Sequence, residues 1–136
     1  MTSGTDMAFY VDTSALVKLV VAESETAALR KWLQEEGGDL VACDLVRTEL
    51  MRVVRRVVPD RVLQARAVLD SVTLVEVTPA VFEDAGRLDP SELRSLGAIH
   101  LAAALDLGDD LDGLVTYDDR LAAASASNGV TVVAPR

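Results

Sequence analysis

The stretch Ala8-Phe9-Tyr10-Val11-Asp12-Thr13-Ser14-Ala15-Leu16 decides how the rest of the chain is read. Ala8–Val11 is a short apolar run of the kind that forms a strand buried on both faces, at the centre of a parallel sheet. The run stops on Asp12, and Thr13 and Ser14 are N-cap candidates for the apolar helix that follows. Open parallel sheets take their ligands at the carboxyl ends of central strands. Asp12 therefore stands where a metal or phosphate ligand is expected, or else it caps the next helix; the stretch alone allows both.

Outward from this strand, elements of two periods alternate. Helical patterns cover 15–22 and 24–36, the second stopped by Gly37-Gly38. A strand at 40–42 leads to a strongly amphipathic helix over 45–58, which Pro59-Asp60 breaks. A helix over 61–70, a strand at 74–77 and a helix over 80–88 follow. A long Ala- and Leu-rich helix is expected over 93–107, then an acidic loop over 109–113. A strand at 114–116, a helix over 118–127 stopped by Asn128-Gly129 and a closing strand at 130–133 complete the chain. Strands alternating with helices imply a parallel sheet covered on both faces.

The 136 residues suffice for one domain with a real core, and half of them are apolar, which argues against disorder. The lone Cys43 excludes an internal disulfide and points to a reducing compartment. No apolar run approaches bilayer length, and residues 1–7 read as a polar, flexible N-terminal tail, so a soluble cytoplasmic protein without membrane attachment is expected. A formal charge of −9 disfavours a general nucleic-acid-coating surface. Within it, Arg47, Arg52, Arg55, Arg56, Arg61 and Arg66 face only Glu49 and Asp60, a local net charge of +4. That segment is either a solvated helical face or a patch that meets phosphate.

Three carboxylates occupy corresponding places in this scheme. Asp12 follows the first strand, Glu49 lies one turn into the helix after the second, and Asp118 opens the helix after the strand at 114–116. Strand ends of a parallel sheet share one edge, so the three acids can meet there. Grouped carboxylates repel, and a cation between them keeps them ionised at neutral pH. Oxygen donors without a His–Cys set suit Mg2+ or Mn2+ rather than zinc. Acids at helix starts also serve as caps and dipole partners, so spacing alone carries little weight.

Four motifs in order, Tyr10-Val11-Asp12-Thr13-Ser14-Ala15-Leu16, Arg47-Thr48-Glu49-Leu50, Leu93-Arg94-Ser95-Leu96-Gly97-Ala98-Ile99-His100-Leu101-Ala102 and Val115-Thr116-Tyr117-Asp118-Asp119-Arg120-Leu121, resemble those of the PIN-domain ribonucleases. They are most similar to the VapC toxins of bacterial toxin–antitoxin pairs. The resemblance spans nearly the whole chain from Ala8. It implies an α/β fold, a PIN-like three-layer α/β/α domain with a central parallel sheet over residues 8–136. It also implies a homodimer that cleaves RNA with Mg2+ or Mn2+ and is silenced by a VapB-type antitoxin. Asp12, Glu49 and Asp118 match the acidic metal-site and catalytic positions of the family; Asp119 is read as helix-start decoration.

One position departs from the pattern. Where the family has a metal-binding aspartate after Leu-Arg-x-Leu, this chain has Gly97. A glycine inside a helix start costs about 0.5–1 kcal/mol relative to alanine, so it calls for a reason. Either close helix packing demands it, or a functional carboxylate has been lost, by drift or by deliberate replacement. Loss of a principal ligand predicts a folded protein with intact dimer and antitoxin surfaces but little nuclease activity.

Other residues divide between roles. His100, the lone histidine, is a general base or simply satisfies a nearby acceptor. Thr13, Ser14 and Thr116 orient water or phosphate, or act as caps and strand-end hydrogen-bonders. Trp32, beside Leu29 and Leu33, anchors an interface or the core; Cys43 reads as a small buried hydrophobe. Two other functions compete with the nuclease. One is a PIN-shaped module that binds antitoxin or RNA without chemistry. The other is a phosphoacceptor receiver, disfavoured because the acidic pair after the first strand and a Lys after the last are both missing.

Overall fold

In the computed structural model, which describes residues 8–136, strands β1 (Ala8–Val11), β2 (Asp39–Cys43), β3 (Thr73–Val75), β4 (Leu111–Val115) and β5 (Val132–Val133) form one parallel sheet. Their order is β3-β2-β1-β4-β5. The expected tail, residues 1–7, lies outside the described residues. Helices α1 (Thr13–Val17), α2 (Thr26–Glu36), α3 (Leu45–Val57), α4 (Val62–Asp70), α5 (Pro79–Arg87), α6 (Ser95–Leu105) and α7 (Asp119–Ser127) make the crossovers. This is the three-layer α/β/α arrangement expected.

The two-residue period of the strands divides the core. Tyr10, Cys43 and Leu114 point into one layer with residues of α5, α6 and α7. Val11, Ala42 and Val115 point into the other, with Leu16, Leu29, Val46, Leu50, Val54 and Leu69. Helix α6 buries Ala98, His100, Leu101, Ala102, Ala103 and Ala104, so it is apolar nearly all round, as a helix sunk in a core must be. The chain winds from β1 outward through β2 to β3, then returns to lay β4 on the other side of β1. The winding reverses between β1 and β4, and a crevice for ligands opens at the carboxyl ends of such a pair.

Several element ends differ from the expected ones. Helix α1 begins at Thr13 rather than at residue 15, because the cap is Asp12, whose carboxylate accepts from the Ala15 N–H at 3.1 Å. Thr13 and Ser14 are thus inside the helix and free of capping duty. Helix α6 starts at Ser95, since Arg94 is extended (φ −67°, ψ 156°). The expected acidic loop becomes a 3₁₀ turn over Gly108–Asp110, and β4 already begins at Leu111. Gly113 lies within β4 because a Cβ there would come within 3.2 Å of both the Phe9 ring and the Thr131 carbonyl oxygen. At the far edge β5 keeps only Val132 and Val133, and β3 ends at Val75.

Candidate active site

Asp12, Glu49 and Asp118 follow three adjacent strands, β1, β2 and β4, at the same carboxyl edge of the sheet. Asp12 is 4% exposed. Its Oδ1 accepts from Ser14 Oγ at 2.7 Å, and its Oδ2 from Thr116 Oγ1 at 2.7 Å. Together with the Ala15 amide these are neutral donors, and no Lys, Arg or His pairs with this carboxylate among the described residues. Burial pushes its pKa above the ordinary carboxylate value, against the lowering effect of Thr116, Ser14, the amide and the more distant charge of His100.

The hydroxyls of α1 join the strand ends. Ser14 Oγ also accepts from the Tyr117 N–H at 2.9 Å, and Thr116 Oγ1 accepts from the Asp118 N–H at 3.0 Å. Thr13 Oγ1 donates to Glu49 Oε1 at 2.7 Å, and His100 Nε2 approaches the same oxygen at 2.8 Å. Burial raises the Glu49 pKa, but the His100 hydrogen bond and charge and the Thr13 hydroxyl outweigh it and hold the carboxyl below its usual range. Asp118 is exposed and caps α7, its Oδ1 accepting from the Arg120 and Leu121 amides at 2.9 and 3.0 Å. Asp118 lines a cleft of about 390 Å³ together with Leu93, Arg94, Gly97, Asp119 and Arg120.

Gly97 therefore lies at the same cleft as Asp118, in the first turn of α6. A Cβ built on it meets only the Leu93 side chain, 3.1 Å from Cδ1, so no neighbouring helix or backbone demands a glycine. The packing explanation of Gly97 finds no support here. Carboxylate oxygens suit a hard divalent ion in kind. In number they fall short: among the described residues no three His, Cys, Asp or Glu are grouped closely enough to hold a metal.

The remaining candidates separate. His100 satisfies an acceptor, Glu49, and reaches Tyr10 behind it. Trp32 packs edge-on against Phe9 with ring centroids 4.7 Å apart, on the side of the core. In the arginine segment, Arg47 pairs with Asp44 and Arg61 donates to the Val20 carbonyl, whereas Arg52, Arg55, Arg56 and Arg66 stand exposed. Sequence reasoning missed Tyr10, whose buried hydroxyl sits between Cys43 and His100. The available signal was a polar-tipped ring inside an otherwise apolar strand.

A PIN domain family model matches residues 9–126. Ribonuclease VapC47 of Mycobacterium tuberculosis (strain CDC 1551 / Oshkosh) is 42% identical over 130 residues, covering 93% of this chain and 96% of its own. Ribonuclease VapC46 of Mycobacterium tuberculosis (strain ATCC 25618 / H37Rv) is 43% identical over 128 residues, covering 94% and 98%. Among solved structures, Mycobacterium tuberculosis VapC20, described as a sarcin–ricin loop cleaving toxin, is similar with a TM-score of 0.73 at 18% identity, over 86% of this chain and 95% of that one. A toxin–antitoxin complex from Klebsiella pneumoniae gives a TM-score of 0.71 at 20% identity, over 95% and 98%. At these identities the structural likenesses speak for the fold.

Proposed function

The chain belongs to the PIN-domain family, among the VapC-type ribonuclease toxins, and from that premise we propose that it is an endoribonuclease of a toxin–antitoxin pair, dependent on Mg2+ or Mn2+ and weakened at Gly97. The observation that carries this reading is a buried carboxylate, Asp12, that makes no salt bridge among the described residues, at the point where the winding of the sheet reverses. A carboxylate buried in that way stays ionised at neutral pH most readily with a cation beside it. Asp12 would hold the ion from within and Asp118 from the cleft, with Glu49 either joining them or orienting water. When bound, such an ion supplies positive charge to a phosphodiester and acidifies water at neutral pH.

The chain's own residues do the rest. Ser14 and Thr116 fix both oxygens of Asp12, while Thr13 and His100 fix Oε1 of Glu49. Arg94 and Arg120 line the cleft and bring positive charge to an RNA backbone in an otherwise acidic protein. The VapC relatives and the Klebsiella pneumoniae complex support a VapB-type antitoxin as partner. The homodimer rests on the family resemblance. The exposed arginines of α3 and α4 are an RNA contact or a seat for an acidic antitoxin tail.

A second reading, a PIN-shaped module that binds antitoxin or RNA without cleaving, is favoured by one observation: the acids present do not form a metal-holding group by themselves. RNA cleavage in Mg2+ or Mn2+, compared with the Gly97→Asp form, separates the two. The substitution needs Leu93 to yield by a few tenths of an ångström and places an acid in the first turn of α6. We expect cleavage to rise by about tenfold or more. Equal, robust rates would show that position 97 is not limiting. No cleavage by either form, with an antitoxin still bound, would establish the silent module.

A further inference from the structure

A chain of buried polar groups runs from the α5–α6–α7 side of the core to Glu49, drawing on residues far apart in sequence. The Cys43 amide donates to the Tyr10 hydroxyl at 3.1 Å, and that hydroxyl shares a 2.8 Å hydrogen bond with His100 Nδ1. The other ring nitrogen, Nε2, lies 2.8 Å from Glu49 Oε1. A carboxylate oxygen can only accept, so Nε2 carries the proton and donates it. The ring is held on both sides by hydrogen bonds, and with Tyr10 0% and His100 4% exposed, water has little access to compete for them.

We propose that His100 is a positioning residue for Glu49, set in its own orientation by Tyr10. This rests on the reading of Glu49 as part of the nuclease site. Helix α6 is otherwise Ala and Leu at its buried positions, and a leucine at 100 would fill that layer without polar atoms to satisfy. A histidine there has one evident consequence that leucine lacks: it ties the carboxylate of α3 to α6, the helix that also carries Gly97 one turn earlier. Thr13 and His100 both bond Oε1, one from α1 and one from α6. Two donors from different directions fix the rotation of the carboxylate, and Oε2 is left without a partner among the described residues. Outer hydrogen-bond partners of this kind are typically worth about 10–100-fold in metal affinity or activity.

The test uses two readouts. Because His100 is the only histidine, 15N-histidine labelling gives a single imidazole to observe. The expected result is an Nε2–H signal protected from exchange with water, moved by Glu49→Gln, and an Nδ1 signal moved by Tyr10→Phe. A freely exchanging Nε2 proton, or one indifferent to Glu49→Gln, overturns the proposal whatever the protein cleaves. The second readout is Mn2+ affinity, measured by the signal of free Mn2+, in the parent and in the Gly97→Asp background. A glutamine amide reaches about where Nε2 lies, and an asparagine amide stops near Nδ1. His100→Gln should stay within about threefold of its background, while folded His100→Asn and His100→Leu lose about tenfold or more. Unchanged affinity in His100→Leu, or equal losses in His100→Gln and His100→Leu, overturns the proposal. Failure of both backgrounds to take up Mn2+ overturns the metal reading instead, and the imidazole signals then decide the positioning role by themselves.

Discussion

The inner and outer parts of the carboxyl edge are built on opposite terms. Inside, Asp12, Ser14 and Thr116 form one set of hydrogen bonds and Thr13, Glu49, His100 and Tyr10 another, all between 2.7 and 3.3 Å and drawn from β1, α1, α3, α6 and the segments after β1 and β4. Outside, Asp118 is solvated, and Gly97 offers a cleft in which only one leucine side chain stands within reach of an added Cβ. Loss of an inner group leaves a buried partner unsatisfied, at about 1–3 kcal/mol for a neutral donor or acceptor. Loss of a carboxylate at the outer position leaves water to fill the space. The edge can therefore lose an outer acid without harm to the fold, and on the proposed reading Gly97 sits where such a loss would lower activity rather than stability.

The comparison is tested most severely at Asp12. Asn at this position keeps an oxygen for the Ala15 amide, so the α1 cap survives. The charge that would hold a cation is gone. In the Gly97→Asp background, Asp12→Asn should lower RNA cleavage by at least about a hundredfold while circular dichroism stays that of the parent. A folded Asp12→Asn protein that still cleaves would remove the inner acid from the chemistry altogether.

A second effect, on stability, belongs to the inner part alone. Burial works to lower the His100 pKa, but Cys43 and Glu49 more than reverse it and push it up to about 10 from an ordinary 6.5. A raised histidine contributes stability that is full below the unfolded value and is lost as pH climbs through the folded one. Glu49 is shifted down from 4.5, so its contribution is present above that value and is lost as pH falls through its folded pKa. The pair thus stabilises most between 4.5 and 6.5 and less on both sides. Melting curves of the parent and His100→Gln should differ by several degrees near the upper end of that window and converge as pH approaches 10. A difference that stays constant over the range would show that the two groups do not titrate against one another.

Sequence makes the edge legible and leaves its wiring hidden. An apolar run broken by Asp12 can be read because burial on both faces and the abrupt change in polarity are local facts. The acids after β2 and β4 follow by the same logic of strand ends. Hydroxyl roles are not local. Thr13 and Ser14 look like caps because their type favours caps, yet Asp12 takes that role and frees them for Glu49 and for Asp12 itself. Tyr10 and His100 are 90 residues apart, and a hydrogen bond across that distance leaves no periodicity to detect. The late start of α6 has a similar cause: Leu93 fits the apolar pattern, but Arg94 adopts extended backbone beside the cleft.

The smallest effect is expected at Asp119, where the outer part offers a control. Asp119 lines the same cleft as Asp118, is exposed, and occupies the first turn of α7. An acid there interacts with the partial positive charge of the helix start, worth about 0.3–1 kcal/mol at low ionic strength and screened by salt. Asp118 differs in carrying the cap itself and in following directly on the Thr116 hydroxyl that holds Asp12. Asp119→Asn should therefore cost a fraction of a kcal/mol in urea unfolding at low salt, vanish at high salt, and leave cleavage by the Gly97→Asp form within about twofold. A large loss of cleavage would mean that the outer part carries two functional acids, and that this neighbour compensates for the carboxylate absent at Gly97.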